Sequence, residues 1–163
     1  MIENLRSKGF PCYDEPARAV LRHHLKIDGP ALPSKNPEMF VQTMLEKTVA
    51  EFEEAKKRQG PVFFDRGIPD LIAYAREFKV DPLEATKAAK QYRCHSQVFV
   101  LSPWKEIFVN DDLRTLTFEQ SLNFQSLVVC GYEECHYNLI QVPNTSIESR
   151  IEFLLRKLEI SAG

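Results

Sequence analysis

The 163-residue sequence predicts an α/β domain, with mostly parallel strands covered by helices on two faces. Three observations carry this. Short runs apolar on both faces recur at 62–64 (VFF), 97–101 (QVFVL) and 139–142 (LIQV). Between them lie segments with apolar residues at helical spacing and charged residues opposite. Proline, glycine and Asn/Asp clusters punctuate the joints. The length suits one domain, residues 1–163, with a core of useful size.

Taken in order, residues 2–8 have helical character and stop at Gly9, a natural terminator. Residues 10–13 form a short strand. Asp14 and Glu15 follow, and Pro16 sits at the first turn of a helix reaching about Lys26. The DGPALPSKNP segment is a loop. Asn36-Pro37-Glu38 opens the clearest helix, with Phe40, Met44, Leu45, Val49 and Phe52 on one face. It is expected to end near Gln59, so that Lys56-Lys57-Arg58 forms a solvated cationic end. After the strand at 62–64, helices follow Pro69 and Asp81-Pro82, the second reaching Tyr92. Ser102-Pro103-Trp104 closes the strand at 97–101, where Trp104 is expected to pack the turn. Thr117 and Gln120 form a capping box for a helix to about Val129. Thr145 with Glu148 caps the last helix, which turns Ile147, Ile151, Leu154, Leu155 and Leu158 inward.

Composition narrows the function classes. Hydrophobic residues make up 44% and charged residues 27%, ordinary for a globular chain. With a formal net charge of −2, no basic field draws the chain to nucleic acid or to an anionic membrane. No stretch is long enough to span a bilayer, and MIENLRSKGF lacks the apolar core of a signal peptide. The four cysteines are therefore expected to be reduced thiols in the cytosol. Cys130, Cys135 and His136 stand as C-x₄-C-H without a C-x-x-C partner, a poor match to a zinc site.

The stretch GPVFFDRGIPD carries the chemistry. A short apolar strand ending in an acid has the form of the second nucleotide motif of a P-loop protein. There Asp65 would hold Mg²⁺ through water, and Arg66 would contact a phosphate, a bidentate task suited to arginine. Glu15 follows the preceding strand, where it is either a general base for an acceptor hydroxyl or an acid in a helix first turn. Arg18, one turn on, pairs with Glu15 or reaches an acidic substrate. Asp70 is expected to cap a helix. The phosphate loop that should accompany Asp65 is missing: the glycines stand at 9, 29, 60, 67, 131 and 163, and none begins G-x-x-x-x-G-K-[ST] or G-x-G-x-x-G.

Over nearly its whole length the chain resembles the NadR/Ttd-type AAA domain family of P-loop kinase-like ATPases. Ile2-Glu3-Asn4-Leu5 through Gly9-Phe10 is similar to the end of the helix that follows that family's phosphate loop. Glu15-Pro16-Ala17-Arg18, GPVFFDRGIPD and QVFVLSPW resemble its next motifs in order, and NDDLRTLTFEQS its lid, with Thr115 where a second arginine is often expected. The resemblance implies a three-layer sheet of P-loop kinase-like type lacking its first, central strand, and a domain that is N-terminally incomplete. It implies Mg²⁺ with ATP or GTP as cofactors and a small-molecule phosphate acceptor, with catalytic roles for Asp65, Glu15 and the lid arginine Arg114. Without the loop, the chain is expected not to turn over. The alternative is a regulatory module that senses a nucleotide or phosphorylated ligand. Two strand edges left open are further expected to promote self-association.

Overall fold

The structure is a computed structural model and describes residues 1–109, 111–113 and 116–160. Along the chain run α1 (Ile2–Ser7), β1 (Cys12–Tyr13), α2 (Pro16–Lys26), α3 (Pro37–Ala55), β2 (Phe63–Phe64), α4 (Ile68–Glu77) and α5 (Leu83–Gln91). Then come β3 (Gln97–Val100), a 3₁₀ turn at Lys105–Ile107, α6 (Phe118–Glu134), β4 (Asn138–Gln141) and α7 (Ile147–Lys157).

Local chemistry explains most boundaries. Gly9, at φ +89°, ends α1 in a conformation that costs other residues more. The Asn36 side chain accepts from the Met39 N–H at 2.9 Å, with Pro37 opening α3. The Thr117–Gln120 capping box forms in both directions, at 2.8 and 3.2 Å.

Three boundaries differ from expectation. Helix α3 stops at Ala55 because the next N–H groups, of Lys57 and Arg58, bond three residues back to Glu54 and Ala55. Lys56 and Arg58 then pair with Glu53 and Glu54. Helix α6 runs past Val129 and through Gly131 to Glu134. A Cβ at Gly131 would stand 3.0 Å from the Pro69 carbonyl oxygen, so the glycine lets α6 lie against α4 rather than ending the helix. The cap of α7 is Ser146, whose Oγ accepts from the Ser149 N–H at 3.2 Å, and not Thr145. Ile147 is consequently exposed, and Arg150 joins Ile151, Leu154 and Leu155 on the buried face.

The main core gathers on α4, where Ile68, Leu71, Ile72, Ala73 and Ala75 are all buried, with α3, α5 and α6 packed around it. A second cluster joins Leu5 of α1 to Ile151 and Leu155 of α7, against Phe10, Cys12 and Phe63.

The strands form two parallel pairs rather than one sheet. Cys12 and Tyr13 pair with Phe63 and Phe64, and Gln97 to Val100 pair with Asn138 to Gln141. No ladder joins β2 to β3. The Asn138 N–H donates to Ser96 O and the Val142 N–H to Val100 O, so alternate residues of β3 face β4. By the two-residue period of a strand, the backbone groups of Gln97 and Phe99 face the other way. A groove of about 680 Å³ lies there, between Phe64 and Asp65 on one side and Phe99 on the other, with Val128 and Tyr132 of α6 along it.

Candidate active site

Parallel pairing places the two acids of interest together. The Asp65 N–H donates to Tyr13 O at 2.9 Å, so Asp65 leaves β2 beside the chain that carries Glu15 out of β1. Ligands of open parallel sheets bind at this carboxyl end of the strands.

Glu15 is the N-cap residue of α2, yet its carboxylate makes no capping bond. It turns instead into the protein, with 15% of the side chain exposed. Oε1 accepts from the Tyr74 hydroxyl at 3.1 Å, and Oε2 accepts from Arg18 Nε at 3.2 Å. Arg66 Nε stands 3.9 Å from Oε1. Arg18 reaches in the other direction too, donating to both carboxylate oxygens of Asp111 at 2.8 and 3.4 Å.

Arg66 occupies a backbone conformation rare for a side-chain-bearing residue, at φ +77°. Such outliers persist where the surroundings over-determine them, and here they do. Its Nη1 lies 3.1 Å from Asp70 Oδ1, and its guanidinium carbon lies 5.7 Å from the centre of the Phe124 ring. Asp70, 2% exposed, holds more than Arg66. Its Oδ2 accepts from the Gly67 N–H at 2.8 Å and from the Tyr132 hydroxyl at 2.6 Å. The acid thus caps α4, as expected from sequence, and also ties β2, α4 and α6 to one arginine.

Electrostatics follow from this crowding. Loss of water around Asp65, then the Glu15 charge, lifts the Asp65 pKa above its ordinary value. Burial works against the Arg66 charge, but Asp70, Tyr74 and Glu15 outweigh it and hold the guanidinium firmly protonated. Burial and then Glu15 push the Tyr74 hydroxyl far upward, so it stays a donor to that carboxylate. The Asp65 shift has a testable sign. A raised folded pKa means that Asp65 contributes destabilisation that grows as pH rises from 3.8 through the folded value. Asp65→Asn is therefore expected to raise the thermal midpoint at neutral pH. Although its surroundings are crowded, the Asp65 side chain still meets solvent, which screens it and holds the gain to about a few tenths of a kcal/mol. Melting curves across pH check this: the gain should vanish below the ordinary carboxylate range.

Glu15, Arg18 and Arg66 open onto a pocket of about 620 Å³ with aromatic walls that include Phe40, Tyr74 and Phe124. That size suits a small organic ligand. Asp65 stands beside it at the neighbouring groove, and Arg66 borders both. The structure thus brings together four of the five residues singled out from sequence. Arg114, the fifth, lies outside the described residues.

Among the described residues, no cluster of three or more His, Cys, Asp and Glu side chains could hold a metal. Cys130 is exposed and bonds to Glu134 at 3.1 Å, whereas Cys135 is buried. Asp65 and Glu15 are hard oxygen donors, the type that Mg²⁺ takes, but they are two carboxylates and not a closed ligand set. That ion commonly keeps several waters and takes one or two carboxylates plus substrate phosphates.

Sequence inspection missed Tyr74, Phe124 and the depth of Asp70. The available signal for Tyr74 was its place four residues after Asp70, on the same face of α4. Nothing local could have announced Phe124, which arrives from α6.

Parallel strand pairs, covering helices and an acid–arginine cluster at the strand ends make a mixed α/β domain consistent with a P-loop-like fold. Comparison with known families agrees. The family described as AAA domain matches residues 1–150. The chain belongs to that family, which suggests a nucleotide-binding, P-loop-like domain. No curated protein and no solved structure matches it.

Proposed function

We propose that this chain is a NadR-like, kinase-like P-loop domain whose residues bind the metal and the acceptor, that it works on Mg²⁺ with ATP or GTP and a small-molecule acceptor, and that it does not turn over in this form. The observation that carries this is the convergence of Asp65, Glu15, Arg66 and Arg18 at the carboxyl ends of β1 and β2, beside a ligand-sized pocket.

Each residue has a physical role. Glu15, fixed by Tyr74 and Arg18, accepts the proton of an acceptor hydroxyl entering the pocket. Arg66, held by Asp70, presents its charge to a phosphate. Arg18 orients an acidic acceptor, and Arg114 serves as the lid arginine that stabilises charge on the transferred group. Asp65 is the residue that would hold Mg²⁺ through water, and the ion, when bound, neutralises phosphate charge. The phosphates themselves are a different matter. The sequence has no glycine-rich loop followed by lysine to cradle them, which is why turnover is not expected. The four free thiols suit a reducing compartment, and we place the protein in the cytosol.

A non-catalytic sensor of nucleotides or phosphorylated ligands is the second possibility, favoured by Asp65 and an Arg66 held in place by Asp70 in a chain without the loop. Calorimetry with Mg·ATP and Mg·GTP separates the two, since either reading allows a small organic anion in the pocket. Saturable binding of at least one of them supports the sensor. Silence with both of them supports a catalytic domain that needs a phosphate loop. The unladdered edges of β2 and β3 favour self-association as well, which sedimentation across a concentration series would reveal.

A further inference from the structure

The pocket holds a third arginine, and it differs from the other two. Arg18 and Arg66 are both neutralised by carboxylates of the site. Arg150, on the first turns of α7, is 8% exposed and lines the same pocket. Its Nε is sealed from solvent and has no hydrogen-bond partner. Its guanidinium carbon lies 5.0 Å from the centre of the Trp104 ring. Among the described residues, the acids that line the pocket, Glu15, Glu77 and Asp112, form no ion pair with it.

A buried cation without a counter-charge is costly, because its lost hydration is not replaced. Stacking on an indole returns part of that and fixes the plane of the fork, leaving its donors organised for a planar or tetrahedral anion. The position is also apt: Trp104 follows β3, and Arg150 follows β4, so both stand at the carboxyl ends of the second strand pair. Glu15 and Arg66 close the pocket from the first pair.

We propose that Arg150, stacked on Trp104, is an anion-binding subsite, which takes a phosphate or carboxylate carried on an aromatic or apolar body. Phe108 and Phe124, also in the wall, supply contact for that body. This rests on the pocket being the ligand site and names the class of ligand: an organic anion that reaches Arg150 from one end while its hydroxyl meets Glu15 at the other.

Trp104 is the sole tryptophan of the chain, so its fluorescence reports on the subsite directly. The full chain is titrated with phenyl phosphate, with benzoate and with the neutral benzyl alcohol. Phenyl phosphate or benzoate should change the emission saturably, whereas benzyl alcohol at equal concentration should not. Arg150→Gln should weaken the response at least tenfold, and Arg150→Lys, which keeps the charge without the planar fork, should fall between. Which of the two anions binds more tightly separates a phosphate from a carboxylate ligand. Equal responses to charged and neutral probes would overturn the proposal, and that comparison needs only the wild-type chain. A folded Arg150→Gln protein that binds phenyl phosphate as well as wild type would overturn it too. Failure here leaves the nucleotide proposal to the calorimetry, while a Trp104 response intact beside contrary calorimetry or turnover data would sink only the nucleotide proposal.

Discussion

Replacing Asp70 with alanine is expected to cost about 3–5 kcal/mol of folding stability, the range for removing one partner of a buried charge pair. The carboxylate is 2% exposed and serves three donors: Arg66 at 3.1 Å, the Gly67 N–H at 2.8 Å and the Tyr132 hydroxyl at 2.6 Å. Its loss leaves a half-buried guanidinium with Glu15, at 3.9 Å, as its remaining ion-pair partner among the described residues. It also orphans a hydroxyl that is wholly within the protein, and it uncaps α4. Urea denaturation of the full chain reads the effect. Asp70→Asn keeps the shape and some acceptor capacity, so it should lose less. An alanine variant within 1 kcal/mol of wild type would mean that Asp70 does not organise the site.

Phe40→Ala should be comparably severe for an unrelated reason. The ring is 1% exposed and meets Tyr74 and Phe78 edge-on, with centroids 6.5 and 5.8 Å away. Truncation removes the buried ring and leaves a cavity between α3 and α4, at about 3–5 kcal/mol. Because Phe40 also borders the 620 Å³ pocket, relaxation there brings the loss toward the lower end. The same denaturation series checks it. A small, salt-sensitive change would contradict a packing origin, since cavity costs do not respond to ionic strength as charge pairs do.

Much of this was legible along the chain because it depends on neighbours in sequence. Asn36-Pro37, Gly9 and the Thr117–Gln120 box act within one helical turn, and each set its boundary where expected. The apolar runs at 62–64 and 97–101 gave strands that end next to Asp65 and Leu101. What escaped depends on contacts between distant segments. Gly131 reads locally as a helix end, but its meaning is the approach of Pro69 from α4. Thr145 is the cap expected for α7, and the structure has Ser146 there, whose Oγ takes the Ser149 N–H. Arg150 precedes Leu154 by four residues and so shares its face, yet an arginine in an inward position is ordinarily discounted. At the site, Glu15, Asp65 and Arg66 could be named from strand ends, whereas Tyr74 and Phe124 required the fold to bring α4 and α6 over them.

Phosphate release from Mg·ATP and Mg·GTP by the purified 163-residue chain is the most direct test of the central claim, that the residues for metal and acceptor are assembled while the phosphate cradle is wanting. The expected result is release no faster than in buffer alone, with and without Mg²⁺. Robust Mg²⁺-dependent release that Asp65→Asn abolishes would contradict it, and would mean that the described site completes phosphoryl transfer without a glycine-rich loop.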